Sequence, residues 1–115
     1  MPKIDRKAVY NKFDGRCAYC GRKIAYKDMQ VDHIKPQCNG GTDDIDNLFP
    51  ACRTCNHYKR AQKLETFRRD ISLIPCKLGE RQYIYKVGMA YGYYDDKPRE
   101  VKFYFEKKGE KDVEI

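Results

Sequence analysis

Cys17-Ala18-Tyr19-Cys20 and Cys52-Arg53-Thr54-Cys55 are two C-x-x-C pairs with 31 residues between them. Two residues between cysteines let a tight turn aim both sulfurs at one point, and Gly21 permits the close backbone turn that follows. Two such pairs together supply the four thiolates of a closed tetrahedral zinc site, one with no open position for catalysis. A redox dithiol needs a single pair in a thioredoxin-like βαβ setting, which neither pair has; an iron–sulfur cluster is the other four-thiolate use. A structural zinc at Cys17, Cys20, Cys52 and Cys55 would tie the first turn to the start of a helix beyond the second pair and fix whatever lies between. Cys38 and Cys76 stand outside this frame and read as free thiols in a reducing compartment.

The staple matters because the chain is short. At 115 residues and 13.6 kDa it has room for one domain, or one plus a small appendage. A Rossmann unit with a separate substrate domain and a barrel enzyme are both excluded. With 36% charged residues, the surface is very polar. Uncharged stretches fall far short of the ~20 apolar residues that span a bilayer. No apolar run follows the first residues, Met-Pro-Lys-Ile-Asp-Arg-Lys, so no secretory signal is expected and a cytoplasmic setting is. The net charge is +7, and residues 1–30 hold eight Lys or Arg against three Asp or Glu. Such an excess suits a polyanionic partner, most often nucleic acid.

Asp5 can cap a first short helix that Gly15 can end, with Val9 and Phe13 on one face. Residues 29–34 alternate apolar and polar, predicting a strand that Pro36 terminates. Residues 37–46 read as a loop, and residues 47–51 as a second strand. Apolar residues at Tyr58, Ala61, Leu64, Phe67, Ile71 and Ile74 have helical spacing, in one helix or in two broken near 64–66. Pro75 and Gly79 mark a boundary. Beyond it Tyr83, Val87 and Tyr94 recur at helical spacing, and Val101, Phe103 and Phe105 alternate as a strand would. The expected architecture is α+β: helix, zinc knuckle, hairpin and helix over residues 1–75, then a helix–strand appendage over 76–115 packed on the same domain.

Asp32 and His33 end the first strand, Asn47 opens the second, and Asn56 follows the last cysteine directly. If the hairpin folds back on the helix start, one carboxylate, one imidazole and two carboxamides converge. That set suits a hard divalent cation, Mg²⁺ or Mn²⁺, beside a general base.

The segments Val31-Asp32-His33-Ile34-Lys35-Pro36, then 40–48 (Gly-Gly-Thr-Asp-Asp-Ile-Asp-Asn-Leu), then Cys52-Arg53-Thr54-Cys55-Asn56 closely resemble the HNH endonuclease family over residues 17–60. The resemblance implies a small zinc-stapled ββα-metal (His-Me finger) fold in its four-cysteine version, with Asn56 at the third position as in the H-N-N variant. It further implies a metal-dependent DNA endonuclease leaving 5′-phosphate and 3′-hydroxyl ends. By it, His33 is the general base, Asp32 and Asn56 ligate the catalytic cation, Asn47 ties the loop and holds His33, and Lys59 faces the same phosphate. Short proteins of this family with such tails resemble free-standing nucleases of phages or mobile elements, which act in the host cytoplasm.

Arg53, Lys59, Arg60 and Lys63, with Lys3, Arg6, Lys7 and Lys12 on the first helix, offer contacts to DNA phosphates, which position without reading sequence. His57 reads as exposed. Tyr83, Tyr85, Tyr91, Tyr93, Tyr94 and Tyr104 have a periodicity that fits a satellite core better than base stacking. A homodimer or another protein partner is open. Two rivals lack the catalytic step: a four-cysteine zinc module that only binds nucleic acid, and a zinc-stapled protein adaptor. The first has no reason to gather Asp32, His33, Asn47 and Asn56, and the second does not need the positive excess.

Overall fold

The computed structural model describes residues 4–113, with side chains through residue 108. Asp5 opens helix α1 (Arg6–Asn11), its Oδ1 accepting from the Ala8 N–H at 3.1 Å. Past α1 the chain turns through Asp14 and Gly15, both at positive φ, and the Gly15 N–H donates to the Tyr10 carbonyl at 3.1 Å. The turn delivers Cys17 into the interior.

Strands β1 (Gln30–His33) and β2 (Leu48–Ala51) pair antiparallel, with Asp32 opposite Phe49 and His33 opposite Leu48. All four residues of β2 are buried. Pro50 sits there without losing a bond from its carbonyl, which accepts from the Ala18 N–H at 2.8 Å. Cys52 caps helix α2 (Arg53–Lys59). A hairpin and the helix that follows it thus form a ββα unit.

One continuous helix does not follow. The backbone breaks at Arg60, whose φ of +54° is rare for a residue with a Cβ. Helices α3 (Leu64–Ser72) and α4 (Ile74–Arg81) come next, α4 carrying Pro75 in its first turn, where a missing N–H leaves nothing unpaired. Helix α5 (Tyr83–Ala90) contains the expected Tyr83 and Val87 and ends before Tyr94.

The expected strand over 101–106 is also absent. Residues from Tyr104 form helix α6 (Tyr104–Val113). Glu106 decides this locally, its Oε1 accepting from the Phe103 N–H at 3.0 Å, half of a capping box. The N–H groups of Tyr104 and Phe105 are taken by the carbonyls of Tyr19 and Ala18, at 3.0 and 2.8 Å. The alternating phenylalanines therefore serve docking rather than a sheet. Phe103 packs 5.1 Å from the Tyr19 ring and Phe105 4.6 Å from the Phe49 ring, pairs worth about 0.5–1.5 kcal/mol each beyond their burial.

The chain divides into two compact units. One runs through Leu64 and resumes at Lys102; the other spans Glu65–Val101. The expected boundary at residue 75 falls inside α4. In the first unit Val9, Cys17, Ala18, Tyr19, Met29, Leu48, Phe49 and Phe103 form the core. In the second, the tyrosines do not make a satellite core: Tyr83, Tyr91 and Tyr93 are 79%, 74% and 75% exposed. Tyr85 and Tyr94 stack, at 4.8 Å, over Gly88, where a Cβ would lie 2.6 Å from the Tyr94 ring. The short α5 has room for a single inward stripe, and Gly88 spends it on this stack. No helix among the described residues is long and apolar enough to cross a membrane.

Candidate active site and its zinc frame

The four sulfurs of Cys17, Cys20, Cys52 and Cys55 lie within 4.8 Å of one another. A zinc ion with four bonds of about 2.3 Å sets each sulfur–sulfur edge near 3.8 Å, and Cys20 Sγ and Cys52 Sγ are 3.7 Å apart. The donor set and its size therefore fit zinc. Gly21 takes φ +81°, as the knuckle turn demands. Backbone N–H groups of Tyr19 and Cys55 point at Cys17 Sγ and Cys52 Sγ, each at 3.4 Å. Arg22 adds charge from outside, its Nε 3.4 Å from Cys20 Sγ and its Nη2 3.6 Å from Cys52 Sγ. Its hydrogen bonds to these sulfurs raise the guanidinium pKa, so a tetrathiolate's negative charge is answered by a permanent cation. Among thiols so close, a hydrogen bond to Cys17 and burial push the Cys55 thiol up; a bound cation removes that obstacle to full deprotonation.

Inside this frame Asp32, His33, Gln37, Asn56 and Arg60 line one cavity of about 320 Å³. Of the expected cluster, Asp32, His33 and Asn56 are thus brought together. Asn47 works from behind the cavity. Its Oδ1 accepts from the Lys35 N–H at 2.8 Å, and its Nδ2 donates to the carbonyls of Lys35 and Thr42 at 3.0 and 2.8 Å. Its own carbonyl accepts from the Ile34 N–H at 2.9 Å, so it clamps the loop directly after His33 and leaves the ring alone.

Asp32 is only 4% exposed. The Tyr19 hydroxyl donates to its Oδ2 at 2.5 Å, and Lys59 Nζ lies 3.3 Å from Oδ1 and 3.2 Å from Oδ2. Burial raises the Asp32 carboxyl pKa, against the downward pull of Tyr19 and Lys59. An ionised carboxylate offers about four acceptor sites, and these partners take three of them. Asn56 lines the same cavity, and a carboxylate with a carboxamide is a donor set that suits a hard divalent cation.

His33 turns its Nε2 to Asp43 Oδ1 at 2.7 Å. Sequence reasoning passed over Asp43 because three aspartates crowd the loop and nothing in their order separates them. It passed over Tyr19 because its place inside a C-x-x-C pair reads as spacer.

The expected phosphate-contacting cations separate into two kinds. Arg53, Arg60 and Lys63 are exposed. Lys59 is not: it is fully buried, its ammonium also donating to the His33 carbonyl at 3.1 Å, and it supports Asp32 rather than facing a phosphate. Arg6 on α1 and Lys12 at its C-cap likewise serve the fold. Arg6 Nη2 donates to the Met29 carbonyl at 3.1 Å, and Lys12 Nζ to the carbonyls of Ile45 and Leu48, both at 2.7 Å. Lys7 is exposed, and Lys3 lies outside the described residues. His57 is exposed, as expected, and so is Cys38, while Cys76 Sγ donates to the Asp96 carbonyl at 2.9 Å.

Comparison with known proteins agrees with this arrangement. The HNH endonuclease family model matches residues 17–62. CRISPR-associated endonuclease Cas9 from Corynebacterium diphtheriae is 40% identical over 45 residues, 38% of this chain, and Cas9 from Actinomyces naeslundii is 43% identical over 44 residues, 37% of this chain. The chain spans only 4% of the length of either relative. The crystal structure of the Type II-C Cas9 enzyme from Actinomyces naeslundii superposes with a TM-score of 0.50 and 31% identity, covering 55% of this chain and 7% of that one. Residues 17–62, the stretch that matches the HNH endonuclease family model, hold the ββα unit and four cysteines placed to bind zinc.

Proposed function

We propose that the protein is a divalent-metal-dependent DNA endonuclease in which His33 is the general base. The observation that supports this reading is the shared cavity, which His33, Asp32 and Asn56 all line. A general base, two oxygen ligands and a zinc frame that holds no open position divide the labour between structure and chemistry. The Cas9 relatives are endonucleases by name, which supports a phosphodiester substrate.

His33 takes the proton of the attacking water. Asp32 and Asn56 would hold Mg²⁺ or Mn²⁺, whose charge would stabilise the scissile phosphate and the departing 3′ oxygen. Lys59 and Tyr19 keep the Asp32 carboxylate fixed, and Asn47 keeps the loop after His33 closed. Arg60, exposed at the cavity wall, would meet the phosphate backbone. Cleavage at the 3′ oxygen leaves 5′-phosphate and 3′-hydroxyl ends.

A plasmid-nicking assay with Mg²⁺ or Mn²⁺, run with and without chelator, tests the proposal. His33→Ala is expected to lose about 10²–10⁴-fold in rate while keeping its zinc and its fold. Undiminished cutting by pure His33→Ala would overturn the assignment.

A further inference from the structure

We propose that Asp43 is the positioning residue of His33, fixing both the heading and the tautomer of its ring so that Nδ1 is the atom left to accept a proton. The catalytic consequence rests on the nuclease reading above; the geometric hold does not.

The contact itself assigns the proton. His33 Nε2 and Asp43 Oδ1 are 2.7 Å apart. An ionised carboxylate only accepts, so the hydrogen lies on Nε2, and a neutral imidazole with one N–H then carries its lone pair on Nδ1. Without such a partner a partly exposed ring exchanges tautomers and rotates. A ring in the wrong tautomer presents an N–H to the water it should deprotonate.

Asp43 is itself held. Gln37 Nε2 donates to the same Oδ1 at 3.0 Å, so the carboxylate is gripped from two sides. The loop that carries it is closed at its base by Asn47, which binds the Thr42 carbonyl next to Asp43 at 2.8 Å. Gly41 closes it further, since a Cβ there would stand 1.7 Å from the Lys35 carbonyl oxygen. The neighbouring Asp44 is committed elsewhere, with Thr42 Oγ1 at 3.0 Å from its Oδ2. Of the loop's acids, Asp43 alone among the described contacts meets the histidine.

Stability does not explain the arrangement. The His33 and Asp43 side chains are 21% and 34% exposed, and pairs open to water contribute little to folding. A short bond with a buttressed acceptor, in a place where it stabilises weakly, is what ring orientation requires.

The test uses the zinc-loaded protein. Two-bond ¹⁵N–¹H correlation spectra near pH 8 report the tautomer of a neutral ring, and His57→Gln, a change at an exposed histidine outside the site, leaves His33 as the one signal. The expected result is a single Nε2–H tautomer in that background and a mixture in Asp43→Ala and Asp43→Asn. In cleavage assays on otherwise wild-type protein, both Asp43 substitutions should lower kcat by about 10- to 100-fold with KM within about twofold, and Asp43→Glu should recover part of the loss. Retention of one Nε2–H tautomer in Asp43→Ala would overturn the proposal. So would a kcat within about threefold of wild type. Failure of the wild type to cut DNA would count against the nuclease reading alone, and the spectra would still decide the hold of Asp43 on the ring.

Discussion

Lys59 Nζ lies 3.2 Å from Asp32 Oδ2, with the lysine fully buried and the aspartate 4% exposed. Removing one partner of such a pair strands the other charge in a low-dielectric interior, at a cost of about 3–5 kcal/mol. Lys59→Met is expected to lose that much in urea unfolding of the zinc-loaded protein, and adding Asp32→Asn should restore most of it. The loss depends on pH with a defined sign. Lys59 pulls the Asp32 pKa down against burial, so without Lys59 the folded carboxyl holds its proton to higher pH than the unfolded one. The folded state then binds more protons above about pH 4. Relative to wild type at each pH, the variant should weaken as pH rises. A pH-independent difference would show that the pair does not carry this energy.

Zinc removal should be more drastic than any single substitution. Binding by a four-thiolate site contributes about 10–16 kcal/mol in small zinc modules, against a total domain stability of about 5–15 kcal/mol. One zinc per chain is expected by metal analysis. Chelation, or Cys17→Ser, should abolish the cooperative unfolding transition of the unit that holds β1, β2 and α2. Survival of that transition with the metal stripped away would mean that the core around Tyr19 and Phe49 suffices by itself.

The cysteine frame, the hairpin and the meeting of Asp32, His33 and Asn56 at one cavity were legible because each rests on short, fixed spacing: two residues between thiols, alternation over residues 29–34, and Asn56 directly after Cys55. What escaped the sequence was decided at long range or by an isolated contact. Lys59 looks like any surface cation, since lysine is almost never fully buried unless paired, and its partner is 27 residues away. Val101, Phe103 and Phe105 alternate as in a strand, yet Glu106 captures the Phe103 N–H and the next two N–H groups go to the zinc knuckle. The tyrosines of α5 have core spacing, but this short segment buries only a small part of what periodicity offers it. Helical spacing from Tyr58 to Ile74 carries no mark of the turn at Arg60, which φ alone reveals.

Asn47 makes three side-chain hydrogen bonds across the loop that carries Asp43. At about 1 kcal/mol net for each, Asn47→Ala should lose about 2–3 kcal/mol. Because the same bonds hold Asp43 against His33, cleavage should fall by more than the unfolded fraction explains. Gly41→Ala should resemble it, since the added methyl meets the Lys35 carbonyl and the loop must open. Activity per folded molecule, with the folded fraction taken from denaturant curves, separates the two effects; a loss proportional to unfolding would assign Asn47 to stability alone.

DNA binding should depend on the exposed cations and not on the buried one. Each phosphate contact made by a lysine or arginine releases condensed counterions, so the logarithm of the affinity falls with the logarithm of salt by roughly 0.9 per contact. Arg53 and Arg60 are exposed near the two ends of α2, and Lys63 is exposed beyond the turn. Replacing any of the three by alanine should weaken duplex binding similarly across unrelated sequences and flatten the salt slope by roughly one. Lys59→Met, measured on the folded fraction, should leave the slope unchanged, because a fully enclosed ammonium on Asp32 has no counterion to release. Titrations at several salt concentrations without divalent metal keep the DNA intact while the slopes are read. A flattened slope in Lys59→Met would mean that its ammonium leaves Asp32 for the DNA backbone in the complex.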